Sequence, residues 1–154
     1  MRLFVAVNFS EALKDSLENA IQDLKAAASS GNFTHRENLH LTIAFIGETD
    51  RADTAIRALD AVKAAPFDLH ISGIGCFPRR GEYLYWTGTK DAPPLMDLHR
   101  KVCNALTAQG FAIEKRKFKA HVTLGRRVIV PPGFDWAVSV RAPDGCVHVD
   151  RIAL

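Results

Sequence analysis

Two four-residue strings in this chain are near copies of each other: His40-Leu41-Thr42-Ile43 and His121-Val122-Thr123-Leu124. Each reads His-x-Thr-x with apolar residues at x, and each sits in an apolar stretch that alternates like a β-strand. Successive strand side chains point to opposite faces, so residues i and i+2 point the same way. Each copy therefore sets an imidazole and a hydroxyl side by side, about 6.5–7 Å apart along the backbone. In the first stretch Leu39, Leu41, Ile43 and Phe45 share the face expected in the core, and His40, Thr42, Ala44 and Ile46 share the other. In the second, Lys119, His121 and Thr123 oppose Phe118, Ala120, Val122 and Leu124. The copies stand about half a chain apart. Two such strands facing each other would enclose two imidazoles and two hydroxyls.

The rest of the chain fits a fold that can hold such strands. A length of 154 residues predicts one domain, residues 1–154, built from two similar lobes. A hydrophobic share of 47% is enough for a core. No apolar run reaches the roughly 18 residues of a membrane-spanning helix. Met1–Asn8 is too short for a signal-peptide core and reads as the first strand. Cys76, Cys103 and Cys146 are odd in number and form no C-x-x-C pair, which predicts free thiols in a reducing cytoplasm.

Strand and helix patterns alternate throughout. Ser10 is a suitable N-cap for a helix over 11–28 with Leu13, Leu17, Ile21 and Leu24 inward. A strand follows over 39–46, then a helix over 51–64. A hairpin follows over 67–87, its tip at Pro78-Arg79-Arg80-Gly81. Pro93 and Pro94 open a helix that runs to Gln109, with Gly110 as its C-terminal cap. Strands are expected over 118–126, 137–141 and 147–154. The pattern predicts an α+β fold with mostly antiparallel sheets.

The paired strings suit acid–base chemistry on a phosphate. Histidine has the unperturbed pKa nearest neutrality, so one ring can accept a proton while another donates one. Displacement at phosphorus needs both, on opposite sides. Threonine hydroxyls can donate to phosphate oxygens. The net charge of +3 is ordinary, but its placement suits an anionic substrate. Lys115, Arg116, Lys117 and Lys119 run into the second string, and Arg126 and Arg127 follow it. His35, His70, His99 and His148 have no matching partner pattern and read as surface or locally satisfied rings. A zinc site from His35 and His40 is set aside for want of a complete ligand set. No cofactor and no metal is expected. Trp86, Tyr83 and Tyr85 read as sheet packing ahead of base stacking.

These strings resemble those of the 2H phosphoesterases, and most closely the RNA 2′,3′-cyclic phosphodiesterase group, also described as 2′-5′ RNA ligases. The resemblance runs through Arg2–Val7, Glu37–Thr42, Phe45–Glu48, Leu84-Tyr85-Trp86 and Phe118–Arg126. Ala120 stands where relatives often carry proline, and Phe33 is the nearest aromatic where they often carry tryptophan. The resemblance implies two β-sheet lobes with outer helices, related by an approximate twofold about a central groove. It implies metal-independent hydrolysis of RNA 2′,3′-cyclic phosphate ends to 2′-phosphomonoesters, with reversible 2′-5′ ligation as a further capacity. By motif match His40 and His121 become the catalytic pair, Thr42 and Thr123 the phosphate ligands and Arg126 a phosphate contact. RNA is the expected partner, with no membrane or protein partner, and a monomer fits the size. Two alternatives stay open: the same chemistry on small cyclic nucleotides or ADP-ribose cyclic phosphate, and an RNA-end-binding module without turnover.

Overall fold

The N-cap at Ser10 forms as its sequence position predicts, its Oγ accepting from the Leu13 N–H at 3.3 Å. In the computed structural model, which describes residues 1–114 and 117–154, it opens helix α1 (Glu11–Ala27). Lys115 and Arg116, two of the four basic residues predicted ahead of the second string, lie outside the described residues. In chain order the strands are β1 (Arg2–Asn8), β2 (Ser30–Phe33), β3 (His40–Glu48), β4 (Phe67–Arg79), β5 (Glu82–Thr89), β6 (His121–Ile129) and β7 (Asp144–Val149). The further helices are α2 (Ala52–Asp60), α3 (Pro93–Ala108) and the single turn α4 (Trp136–Ser139).

The strands form two antiparallel sheets. β1 pairs with β3, and the second sheet has the order β2-β6-β5-β4-β7. Each sheet has one face covered by a helix. Leu13, Leu17, Ala20, Ile21 and Leu24 of α1 are buried against the larger sheet beside β7, β6 and β2. Leu95, Leu98, Val102 and Leu106 of α3 are buried toward β3 and α2. Burying each such leucine contributes about 1.5–3 kcal/mol. A single bridge ties the C-terminal segment to the smaller sheet, Ala6 and Ala153 exchanging two backbone hydrogen bonds of 2.9 Å. The mixed α+β fold with antiparallel sheets agrees with the sequence reading.

Several local expectations need correction, among them the helix expected over 51–64, which ends at Asp60, and the strand expected over 147–154, which is Asp144–Val149. Phe45 was expected inside and is 62% exposed. Ala6 pairs with Thr42 and Val5 with Ala44, so Ile43 is an extra residue in β3. Such a bulge shifts the alternation by one, turning Ala44 inward and Phe45 outward. Residues 118–120 precede β6 rather than belonging to it. The strand expected over 137–141 is the helical turn α4, because the Asp135 carboxylate accepts from the Ala137 N–H at 3.0 Å and caps it. Finally, β2 forms from Ser-Gly-Asn-Phe, a string of low strand propensity, by pairing along β6.

Candidate active site

Both motif strands open on their histidine and run nine residues, β3 from His40 and β6 from His121. Both bury the residues at x: Leu41, Ile43, Val122 and Leu124 are at most 2% exposed, while His40, Thr42, His121 and Thr123 keep solvent access. The predicted division of faces therefore holds in each string. β3 and β6 belong to different sheets and pack against each other.

His40 is half-buried and lies opposite Asn8 of β1. The Phe4 ring stacks on its imidazole, with centroids 4.8 Å apart and planes 19° apart. Burial holds the imidazole below the ordinary histidine pKa, because the charged form loses hydration. A cavity of about 430 Å³ opens beside Asn8, between β1 and the segment from Cys146 to Ala153.

His121 is exposed, and its Nδ1–H donates to the Lys119 carbonyl at 2.8 Å. In the neutral ring this leaves the lone pair on Nε2. Thr123, two residues on, is held by its own backbone, since the Thr34 hydroxyl donates to the Thr123 carbonyl at 2.8 Å. Directly opposed residues of an antiparallel pair share a face. Gly88 opposes His121 and Trp86 opposes Thr123, so the open face beside the second string carries an indole and a glycine. Trp86 lies flat across Gly75, where a Cβ would come within 2.4 Å of the ring, and stacks on Phe77 at 5.6 Å. The Lys119 ammonium caps both rings, 4.6 Å from the Trp86 centroid and 5.1 Å from that of Phe77.

Arg126 reaches the motif face through a second irregularity. Tyr85 opposes Gly125 while Trp86 opposes Thr123, so Leu124 is an extra residue in β6. Gly125, opposite buried Tyr85, points to the core, and Arg126 turns to the other side with Thr123. A regular strand would have put Arg126 on the covered face. Lys119 lies beside the second string as its place in the sequence predicts, whereas Trp86, read from sequence as sheet packing ahead of base stacking, stands on the motif face opposite Thr123. Among the described residues no group of three His, Cys, Asp or Glu side chains stands close enough to hold a metal ion. His70 and His148 pair with Asp144 and Asp68.

Two strands of one pattern, each placing a histidine and a threonine on the open side of an antiparallel sheet, define the class of two-histidine phosphoesterases. The chain belongs to the 2′-5′ RNA ligase superfamily, whose family model matches residues 13–154. It is 34% identical over 129 residues to the RNA 2′,3′-cyclic phosphodiesterase of Archaeoglobus fulgidus, covering 82% of this chain and 72% of that one. It is 30% identical over 129 residues to the RNA 2′,3′-cyclic phosphodiesterase of Geobacillus stearothermophilus, where the match covers 80% of this chain but 41% of the relative's length. The fold is similar to that of Escherichia coli LigT complexed with 3′-AMP, with a TM-score of 0.73 at 24% identity over 98% of this chain and 84% of that one.

Proposed function

We propose that the protein hydrolyses 2′,3′-cyclic phosphate ends of RNA to 2′-phosphomonoesters, with His40 and His121 as the proton-transferring pair. The observation that carries this reading is the repetition of one arrangement on two packed strands, with the polar residues open and the apolar ones buried. Relatives named as RNA 2′,3′-cyclic phosphodiesterases, and LigT with its bound 3′-AMP, support the substrate class.

In this reading His121 Nε2, freed by the bond from Nδ1 to the Lys119 carbonyl, takes a proton from water. The water oxygen attacks phosphorus as the bond from phosphorus to O3′ breaks. His40 gives its proton to O3′, leaving a 3′ hydroxyl and a 2′-phosphate. Burial alone disfavours the imidazolium of His40, and the negative charge of a bound phosphate opposes that effect and favours the protonated ring that the acid role needs. Thr42, Thr123 and Arg126 hold the non-bridging oxygens and offset charge that builds in the transition state. Ligation follows the same path with a 5′ hydroxyl end in place of water: O5′ loses its proton to His121 and attacks phosphorus as the bond to O3′ breaks, and the reverse, cleavage of the 2′-5′ linkage, exchanges the two roles. The domain is read as one unit over residues 1–154, acting as a monomer in the cytoplasm on cleaved RNA ends.

The test is an RNA carrying a 2′,3′-cyclic phosphate end, with product followed by phosphorus NMR, with and without chelator. His40→Ala and His121→Ala should each lower kcat by roughly 10²–10⁴-fold. Wild-type turnover should persist in EDTA. Wild-type rates in either histidine variant, or rates lost on chelation, contradict the reading. Fast turnover of a small cyclic nucleotide beside slow turnover of RNA would move the substrate assignment to the smaller molecule.

A further inference from the structure

His99 touches both motif segments and belongs to neither. It sits half-buried on α3, the helix that packs against β3. Its Nδ1–H donates to the Ile43 carbonyl at 2.8 Å. Ile43 is the extra residue of the β3 bulge, where pairing with β1 skips, and it directly follows Thr42. The other side of the contact is a ring stack. The imidazole lies on Phe118 with centroids 4.0 Å apart and planes 9° apart. Ile43 is three residues after His40, and Phe118 is three residues before His121. Cys103, one turn further along α3, places its Sγ 3.7 Å from both ring nitrogens. Burial pushes that thiol pKa up, so a neutral group backs the ring.

We infer that His99 is a positioning residue: one imidazole holds the bulge of the first motif strand by a hydrogen bond and the lead-in to the second motif by a stack, and so sets the separation of His40 and His121. The inference rests on the two-histidine reading above. A general acid and a general base that serve one phosphorus must stand on opposite sides of it, and a misplacement of about 1 Å costs on the order of 10²-fold in rate. The two sheets share one hydrophobic core, and His99 is a joint at the motif strings themselves. The hydrogen bond serves one motif and the stack serves the other, so each can be removed alone.

Three substitutions separate these contacts. His99→Leu removes both. His99→Asn keeps an amide donor near the place of Nδ1 and loses the stack. His99→Phe keeps the stack and loses the donor. Each is assayed on RNA with a 2′,3′-cyclic phosphate end, at a temperature where circular dichroism shows the variant fully folded. The expected result is a kcat about 10–100-fold lower in His99→Leu. KM should stay within about twofold of wild type, the mark of a contact felt in the transition state alone. His99→Asn and His99→Phe should each recover part of the loss. A folded His99→Leu with wild-type kcat, or with a raised KM alone, overturns the inference. Should His99→Leu fail to fold, the two partial variants decide. Lowered kcat at unchanged KM in both supports the inference, and wild-type kcat in both overturns it. His40→Ala and His121→Ala run alongside. Activity in those two would sink the two-histidine reading, whereas activity in His99→Leu alone sinks only the positioning role.

Discussion

At the scale of single residues the two catalytic candidates differ in surroundings more than in sequence. His40 is half-buried under Phe4, and His121 stands in solvent with Nδ1 bound to a backbone carbonyl. Burial disfavours the charged imidazole, so His40 takes up its proton at lower pH in the folded chain than in the unfolded one. Between those two pH values the unfolded chain binds more protons, so stability gained above the ordinary histidine pKa is lost as pH falls through the folded value. Under the proposed mechanism the same shift should appear in catalysis. Phe4→Ala admits water to His40, so its ring titration, followed by NMR of the ring C–H groups, should move to higher pH. The limb of the kcat/KM profile that reports His40 should move the same way. A titration that stays put, or moves down, would show that Phe4 has no part in the desolvation.

Among the secondary-structure elements, irregular strands do what regular ones could not. The bulge at Ile43 turns Phe45 outward, and the one at Leu124 turns Arg126 toward Thr123. A third lies in β4, between Ser72 and Gly75, where Gly73 takes a φ of 79°. The Thr87 hydroxyl, buried in β5, donates to the Gly73 carbonyl at 2.6 Å. Thr87→Val keeps the shape and leaves that carbonyl without its donor, which should cost roughly 1–3 kcal/mol in urea unfolding. A loss well below that range would mean that water replaces the hydroxyl. These bulges also mark where the sequence stops being legible. Strict alternation predicted the buried partners Leu41, Ile43, Val122 and Leu124 correctly, because hydrophobic burial fixes the face within each string. It failed at Phe45, because an inserted residue leaves no trace in composition. It gave no hint of β2, whose Ser-Gly-Asn-Phe string is held in place by β6. The turn at 136–139 could have been read from Asp135 as a cap, but Val138 and Val140 spoke for a strand. The helices were the clearest, since Ser10, the proline pair and Gly110 each sit at a boundary the structure keeps.

Across the whole molecule, the site depends on how a two-stranded and a five-stranded sheet are held together. The Ala6–Ala153 bridge, the packing of β3 on β6 and the His99 contacts join them. Each histidine thus belongs to a different sheet, and the proposed reaction asks them to act on the same atom. The sequence announced both histidines through the repeated string, but their mutual placement comes from these long-range joints, which no local pattern encodes. Binding is the most direct probe of that placement. The protein, labelled with nitrogen-15, is titrated with 2′-AMP, which carries the phosphomonoester of the proposed product, and the ring signals of His40 and His121 are followed together. Both should shift along a single saturation curve with one Kd, and the His40 titration should rise in pH as the phosphate arrives. Shifts confined to one ring, or two rings saturating with different Kd values, would contradict a shared phosphate and with it the proposed mechanism.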